Sequence, residues 1–334
     1  MSTATRPRRP ATPALREIQA PVRERLGRVS EEIGRMITAN LPLMEQVKGH
    51  LLQMQGKLFR PTLVLLSSAV EEREAPRAVP LAAVVELVHV ATLVHDDAVD
   101  HSALRRGMPT INAVFSHQVS VIMGDWLYSR ALAELVEGGE LEAMRSLVDA
   151  STQMSVGEMR QLMSVDTLGF SEDDYEALIR SKTAALIAAA CEIGALTGAP
   201  RFRRDLALYG DRLGMAFQIA DDLLDYTAES SDTGKPSGLD LREHKVTLPL
   251  IHALRGMSPA ARQRVERLFA ESAPSDEDIA EVVGIVTEYG GIDYARRRGE
   301  RFADEAEAAL GALPESPARA ALSDAIRYVL DRRS

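Results

Sequence analysis

The chain has 334 residues, of which 46% are hydrophobic, 26% charged and 4% aromatic, and its formal net charge is −10. This is the composition of a globular chain with room for a large core, and the scarcity of aromatics beside abundant Ala and Leu favours helix over sheet. So acidic a balance excludes a general nucleic-acid binder, and attraction for any phosphate-bearing partner must come from a local site.

Taken in chain order, the first fifteen residues are rich in Arg, Pro and Thr and carry no acid. They read as a disordered tail over 1–15 ahead of a single domain over 16–334. Gly56-Lys57-Leu58-Phe59-Arg60-Pro61 sets two cations beside a predicted helix start, a favourable place for an anion. Val84–Val99, Val119–Val136, Tyr175–Thr197 and Asp205–Tyr226 are long, rich in Ala and Leu and free of proline, so each is expected as a helix. Breaks fall at Glu74–Pro80, Gly107–Pro109, Gly138–Gly139, Gly198–Pro200, Ser230–Gly238 and Ser272–Ser275. No alternating strand pattern of convincing length is visible. The longest apolar stretch, Ala184–Ala199, is interrupted by Glu192 and is too short to cross a bilayer comfortably. The single cysteine, Cys191, excludes an internal disulfide framework, fits a reducing cytoplasm and reads as core packing. The expected fold is all-α, one large bundle of ten or more helices.

Two acidic clusters carry the chemistry. His95-Asp96-Asp97-Ala98-Val99-Asp100 ends a strongly apolar helix, and Asp221-Asp222-Leu223-Leu224-Asp225 lies inside another. On a helix Asp96 and Asp100 share one face, while Asp97 is rotated by about 100°. Like charges one turn apart destabilise a bare helix by about a few tenths of a kcal/mol. A polar surface would explain one such cluster. Two, each interrupting an apolar helix, imply a compensating cation, and all-oxygen donors select Mg²⁺ or Mn²⁺ over Zn²⁺. Asp96, Asp97, Asp100, Asp221, Asp222 and Asp225 are the candidate ligands. Arg105 and Arg106 follow the first cluster. Lys182 and Thr183 open an Ala-rich helix, and Lys235 and Lys245 follow the second cluster.

These residues together resemble a family. From Lys57 to His252 the chain is similar to the trans-isoprenyl (polyprenyl) diphosphate synthases, long-chain type such as octaprenyl or heptaprenyl diphosphate synthase. The likeness runs through Gly56-Lys57-x-x-Arg60-Pro61, both aspartate motifs, Arg105-Arg106-Gly107, Gly124-Asp125, Lys182-Thr183, Phe217-Gln218, Gly234-Lys235 and Lys245-x-Thr247-Leu248-Pro249. Two positions depart from the pattern: Gln55 replaces a usual Gly, and His244 stands where Gly usually precedes Lys245.

The resemblance implies a helical bundle around a deep central cavity, and a Mg²⁺-dependent condensation of isopentenyl diphosphate with an allylic diphosphate. It implies that Lys57, Arg60, His89 and Arg106 hold isopentenyl diphosphate; from pattern alone, His89 reads as a satisfied core histidine. The allylic diphosphate would be held through magnesium, three ions in all, on Asp96, Asp100 and Asp221. Arg105, Lys182, Lys235 and Lys245 would be direct cations there, with Thr183 and Gln218 completing the site. It further implies a cytoplasmic homodimer that makes at most peripheral membrane contact for product release.

A class I terpene cyclase would need neither the second cluster nor Lys57 and Arg60. A His-Asp metal phosphohydrolase built on His89, His95 and Asp96 would release phosphate from a nucleotide unaided. A regulatory subunit would typically lack the clusters. Ala91 and Thr92, one turn below Asp96, are small, so they set no floor for a growing chain. One turn of about 5.4 Å nearly matches one isoprene unit, and the expected product has about seven to nine units.

Overall fold

The computed structural model describes residues 12–53, 56–105, 107–163, 168–227 and 238–331. The chain runs through α1 (Leu15–Ile18), a 3₁₀ turn (Ala20–Val22), α2 (Arg23–Met36), α3 (Pro42–Gln53), α4 (Phe59–Ala69) and α5 (Ala78–Val99). A two-residue hairpin follows, β1 (Leu104–Arg105) against β2 (Met108–Pro109), then α6 (Ile111–Val114), α7 (His117–Glu137), α8 (Leu141–Met163) and α9 (Glu172–Ile179). A π-helical turn (Arg180–Ala184) leads into α10 (Ala185–Gly198), and a 3₁₀ turn (Pro200–Phe202) into α11 (Arg203–Thr227). The C-terminal part holds α12 (Leu239–Arg242), α13 (Leu248–Leu254), α14 (Pro259–Ala270), α15 (Asp276–Glu288), α16 (Gly291–Leu310) and α17 (Pro317–Leu330).

The all-α expectation holds. Ser116, Ser171, Ser258, Ser275 and Ser316 each accept a backbone N–H at a helix start, which satisfies one of the orphan donors there. Buried apolar side chains from Ile18 to Val329 form one connected core. At its centre α10, rich in Ala and Gly, packs on α4, α8 and α11, while α5 packs on α7 and α4 and α11 on α16. The small side chains bring backbones close. A Cβ added to Gly194 would stand 2.2 Å from the carbonyl oxygen of Val64 on α4.

The structure differs from the sequence reading at five places. The helix expected over Tyr175–Thr197 is α9 and α10 joined through the π turn. α5 begins at Ala78, so Pro80 falls in its first turn, where no intrahelical N–H is needed. The hairpin at 104–109 is too short to leave a period-two signal. Within the stretch read as a tail, Leu15 already begins α1 and the Thr12 hydroxyl donates to Asp331 at 2.8 Å. Also, the most membrane-like segment is not Ala184–Ala199. It is α5, whose 22 residues are long and apolar enough to cross a bilayer, although 67% of its most apolar window is buried inside the bundle, as befits a core helix.

Gly194→Ala is therefore expected to destabilise the protein by about 1–3 kcal/mol despite alanine's better helix propensity, because the neighbour it meets is backbone. A urea midpoint equal to or above that of the parent would contradict this packing.

Candidate active site

The first cluster splits into an inner and an outer half. Asp97 is buried, and Arg105 Nε donates to both its oxygens at 2.8 and 3.0 Å, so hairpin and helix end are clamped together. Asp100 is exposed at the end of α5. Asp96 is half-buried, and its carboxyl is pushed up to about 6, first by burial and then by the charges of Glu158 and Asp100, against the pull of Lys182 and Arg105. His95, just before, is seated by Gly124: a Cβ there would lie 2.2 Å from His95 Nε2. That nitrogen is 3.1 Å from the Val121 carbonyl and 3.3 Å from Asp125, both acceptors, so Nε2 carries the proton.

The second cluster divides in the same way. Asp222 is buried, with Tyr175 OH donating at 2.6 Å and Gln218 Nε2 at 2.8 Å. Burial, then Asp240, pushes its carboxyl up to about 8. Asp225 accepts the backbone N–H groups of Leu239 and Asp240, both at 2.9 Å, and so anchors α12. Asp221 is exposed. Asp97, Asp222 and Asp225, three of the six candidate ligands, are thus engaged inside the protein. Among the described residues no three His, Cys, Asp or Glu side chains already stand together as a metal cage. Asp96 is half-buried and Asp100 and Asp221 are exposed, and oxygen donors of this kind suit a hard cation.

A cavity of about 460 Å³ opens on this second wall, lined by Gln161, Tyr175, Lys182, Thr183, Gln218, Asp222, Asp240 and Lys245. The Thr183 hydroxyl donates to Gln218 Oε1 at 2.7 Å, which continues the chain through Gln218 to Asp222 and Tyr175. Lys182 Nζ lies 2.5 Å from Glu158 and 2.8 Å from Gln161 Oε1, both on α8. Burial disfavours the Lys245 charge, but pairing with Glu243 at 2.6 Å and the fields of Asp240 and Asp100 raise its pKa overall. One lysine thereby feels carboxylates of both walls.

Further along α5, a smaller pocket is lined by Gly56, Glu86, His89, Asp97 and Arg105. His89 is no isolated core residue: its Nε2 lies 3.0 Å from Arg60 NH1, and because guanidinium can only donate, Nε2 accepts. Arg105 stands in this pocket and not beside Lys182, while its charge still reaches Asp96. Lys57 is exposed next to Leu58, whose φ of 53° lies in the left-handed region. Ala91 is buried and the Thr92 hydroxyl donates to the His89 carbonyl at 2.8 Å. Arg106, Lys235 and Gln55 lie outside the described residues. His244, where glycine is usual, has φ 56°, which explains that preference.

Sequence reasoning missed Glu158, Gln161, Tyr175 and Asp240. Burial of Asp240 and the charge of Asp225 push its carboxyl up to about 7. The available signal was Gly157-Glu158-x-x-Gln161, two polar side chains one turn apart on α8.

The model of the polyprenyl synthetase family matches residues 41–286. An all-trans-nonaprenyl-diphosphate synthase (geranyl-diphosphate specific) of Rhodobacter capsulatus is 37% identical over 318 residues, 95% of this chain and 97% of that protein. The octaprenyl diphosphate synthase of Escherichia coli is 37% identical over 296 residues, 88% and 91% of the two chains. Among solved structures, a polyprenyl synthase from Caulobacter crescentus complexed with calcium and isoprenyl diphosphate superposes with a TM-score of 0.90 at 32% identity, covering 98% of this chain and 100% of that one.

Asp96, Asp240 and Asp222 titrate in the folded chain at about 6, about 7 and about 8, against 3.8 for an ordinary aspartate. The folded chain then holds more protons than the unfolded one between pH ~4 and those values, so stability falls as pH rises across that window. In metal-free buffer the thermal midpoint should drop from about pH 5.5 to about pH 8.5, by the equivalent of several kcal/mol, and Asp222→Asn should flatten the drop. A flat or rising profile for the parent would refute these burial effects.

Proposed function

The chain belongs to the polyprenyl synthetase family, and from that membership we propose that it condenses isopentenyl diphosphate repeatedly, head to tail, onto an allylic diphosphate. The product is a long all-trans polyprenyl diphosphate of about seven to nine isoprene units, C35 to C45. The activity is that of a prenyltransferase, and the observation that carries the reading is the cavity where Lys182, Thr183, Gln218 and Lys245 meet the second acidic wall, with Lys245 reached by the field of Asp100 from the first.

The allylic diphosphate brings about three negative charges to a site already rich in carboxylates, and each close like-charge pair costs roughly 4 kcal/mol at an effective dielectric near 20. Bound through Asp96, Asp100 and Asp221, magnesium, in about three ions with manganese as substitute, would neutralise that charge and favour departure of diphosphate. The chain's own residues do the rest. Lys182 and Lys245 donate to the diphosphate as its charge grows, and Thr183 and Gln218 orient it. His89, with Nε2 accepting from Arg60, would help to hold isopentenyl diphosphate in the smaller pocket, together with Lys57, Arg60 and Arg106. Arg105, tied to Asp97, would be a further cation for the allylic diphosphate, as would Lys235. The allylic cation left behind is attacked by the alkene of isopentenyl diphosphate, and the proton then lost goes to the departed diphosphate; no side-chain nucleophile takes part.

We assign the enzyme to the cytoplasm as a homodimer. Exposed Ile122 on α7 and Val156, Met159 and Leu162 on α8 give the second copy an apolar surface. The decisive experiment incubates purified protein with Mg²⁺, labelled isopentenyl diphosphate and a farnesyl or geranylgeranyl primer, and reads product length by chromatography. Activity should vanish with EDTA, and Asp96→Ala or Asp221→Ala should lower turnover by orders of magnitude without loss of fold. Full activity in a metal-stripped sample would end the proposal. Ala91→Phe should raise a floor under the growing chain and shorten the product to about three or four units. An unaltered product would place the floor elsewhere.

A further inference from the structure

Lys182 is the cavity cation closest to Asp96 in effect, yet its charge is not offered freely to the cavity. Its ammonium is held at 2.5 Å by Glu158 and at 2.8 Å by Gln161, side chains one helical turn apart on α8. Both members of the ion pair are partly buried, at 30% and 24% side-chain exposure, so the contact is stronger than a surface pair. Lys182 sits on the π turn, which sets it toward α8, and α8 packs directly on that turn. Glu158 belongs to neither aspartate motif, and nothing in the proposed condensation uses it. Its carboxylate nevertheless occupies the position on the ammonium that a diphosphate oxygen would take.

Resting on the reading that Lys182 binds the allylic diphosphate, we propose that Glu158 is a positioning residue that exchanges with diphosphate for Lys182. In the empty site Glu158 and Gln161 hold the ammonium at the cavity wall. The incoming diphosphate displaces Glu158 and takes the charge-assisted hydrogen bonds. After condensation the same molecule is inorganic diphosphate, which must leave before the elongated chain can move in as the next allylic substrate. Glu158 then recaptures Lys182 and helps to expel it. Each step is an exchange of hydrogen-bond partners on one ammonium, with no proton or covalent bond transferred. An enzyme that repeats its reaction many times on one chain gains from this. A cation gripping diphosphate as tightly as an unopposed lysine would slow every cycle.

Isothermal titration of inorganic diphosphate at fixed Mg²⁺ into the parent, Glu158→Gln, Lys182→Ala and the double variant tests the exchange. Glu158→Gln keeps the side chain's size and should bind diphosphate about tenfold more tightly, a gain that should disappear in the Lys182→Ala background. In steady state its kcat and its KM for the allylic substrate should fall together, Glu158→Asp should recover part of both, and inhibition by diphosphate should strengthen. Gln161→Met, which removes the second acceptor, should shift the same constants the same way by a smaller factor, and it stands in if Glu158→Gln does not fold by circular dichroism. Unchanged or weaker diphosphate binding in Glu158→Gln overturns the proposal. So does a gain that survives without Lys182, which would be general relief of negative charge. If the parent itself binds no diphosphate, the proposed function of the site falls, a result distinct from either of these.

Discussion

Carboxylates collected inside a helical bundle set the terms for this protein. Asp96, Asp222 and Asp240 are each withdrawn from water far enough to raise their pKa, and in every case burial outweighs any neighbouring charge. Two devices make the arrangement tolerable. Some carboxylates are consumed internally: Asp97 by Arg105, Asp222 by Tyr175 and Gln218, Asp225 by two backbone amides. Asp96, Asp100 and Asp221 lie nearer the surface of the site. The inner set builds the walls on which the outer set is displayed.

This division shows what the sequence could and could not convey. The helical character of nearly every segment was legible, because Ala and Leu without proline admit little else, and so were the two clusters, because each interrupts an apolar helix. The sequence reading put all six aspartates forward as ligand candidates, and their periodicity already separated Asp97 from Asp96 and Asp100. What it could not convey was where the separated carboxylate goes. That depends on Arg105 returning through a two-residue hairpin, and on Tyr175, 47 positions before Asp222, reaching it from α9. His89 makes the same point from the other side. On pattern it resembled a core residue, and only the approach of Arg60 from α4 reveals a polar pair.

Two of the four non-glycine residues with positive φ among the described residues stand next to lysines of the site. Leu58 precedes α4 beside Lys57 and Arg60, His244 precedes Lys245, and both have positive φ without being glycine. A non-glycine residue held there costs about 1–3 kcal/mol and persists only where surrounding structure fixes it. His244 is so fixed, its ring 5.6 Å from that of Phe269.

The π turn at Arg180–Ala184 acts like a vernier on a screw. In a regular α-helix one surplus residue would rotate everything after it by about 100° and advance it by about 1.5 Å; the wider π turn takes that residue up locally, so α9 and α10 need not share a phase. α9 can direct Tyr175 at Asp222 while α10 keeps Gly194 against Val64 on α4, two demands that a continuous helix would have to meet with a single register. The insertion or deletion of a single residue at this turn is therefore a far smaller evolutionary step than it would be anywhere else in the core, since it can re-aim the cavity wall while the interlocked helices on either side stay as they are.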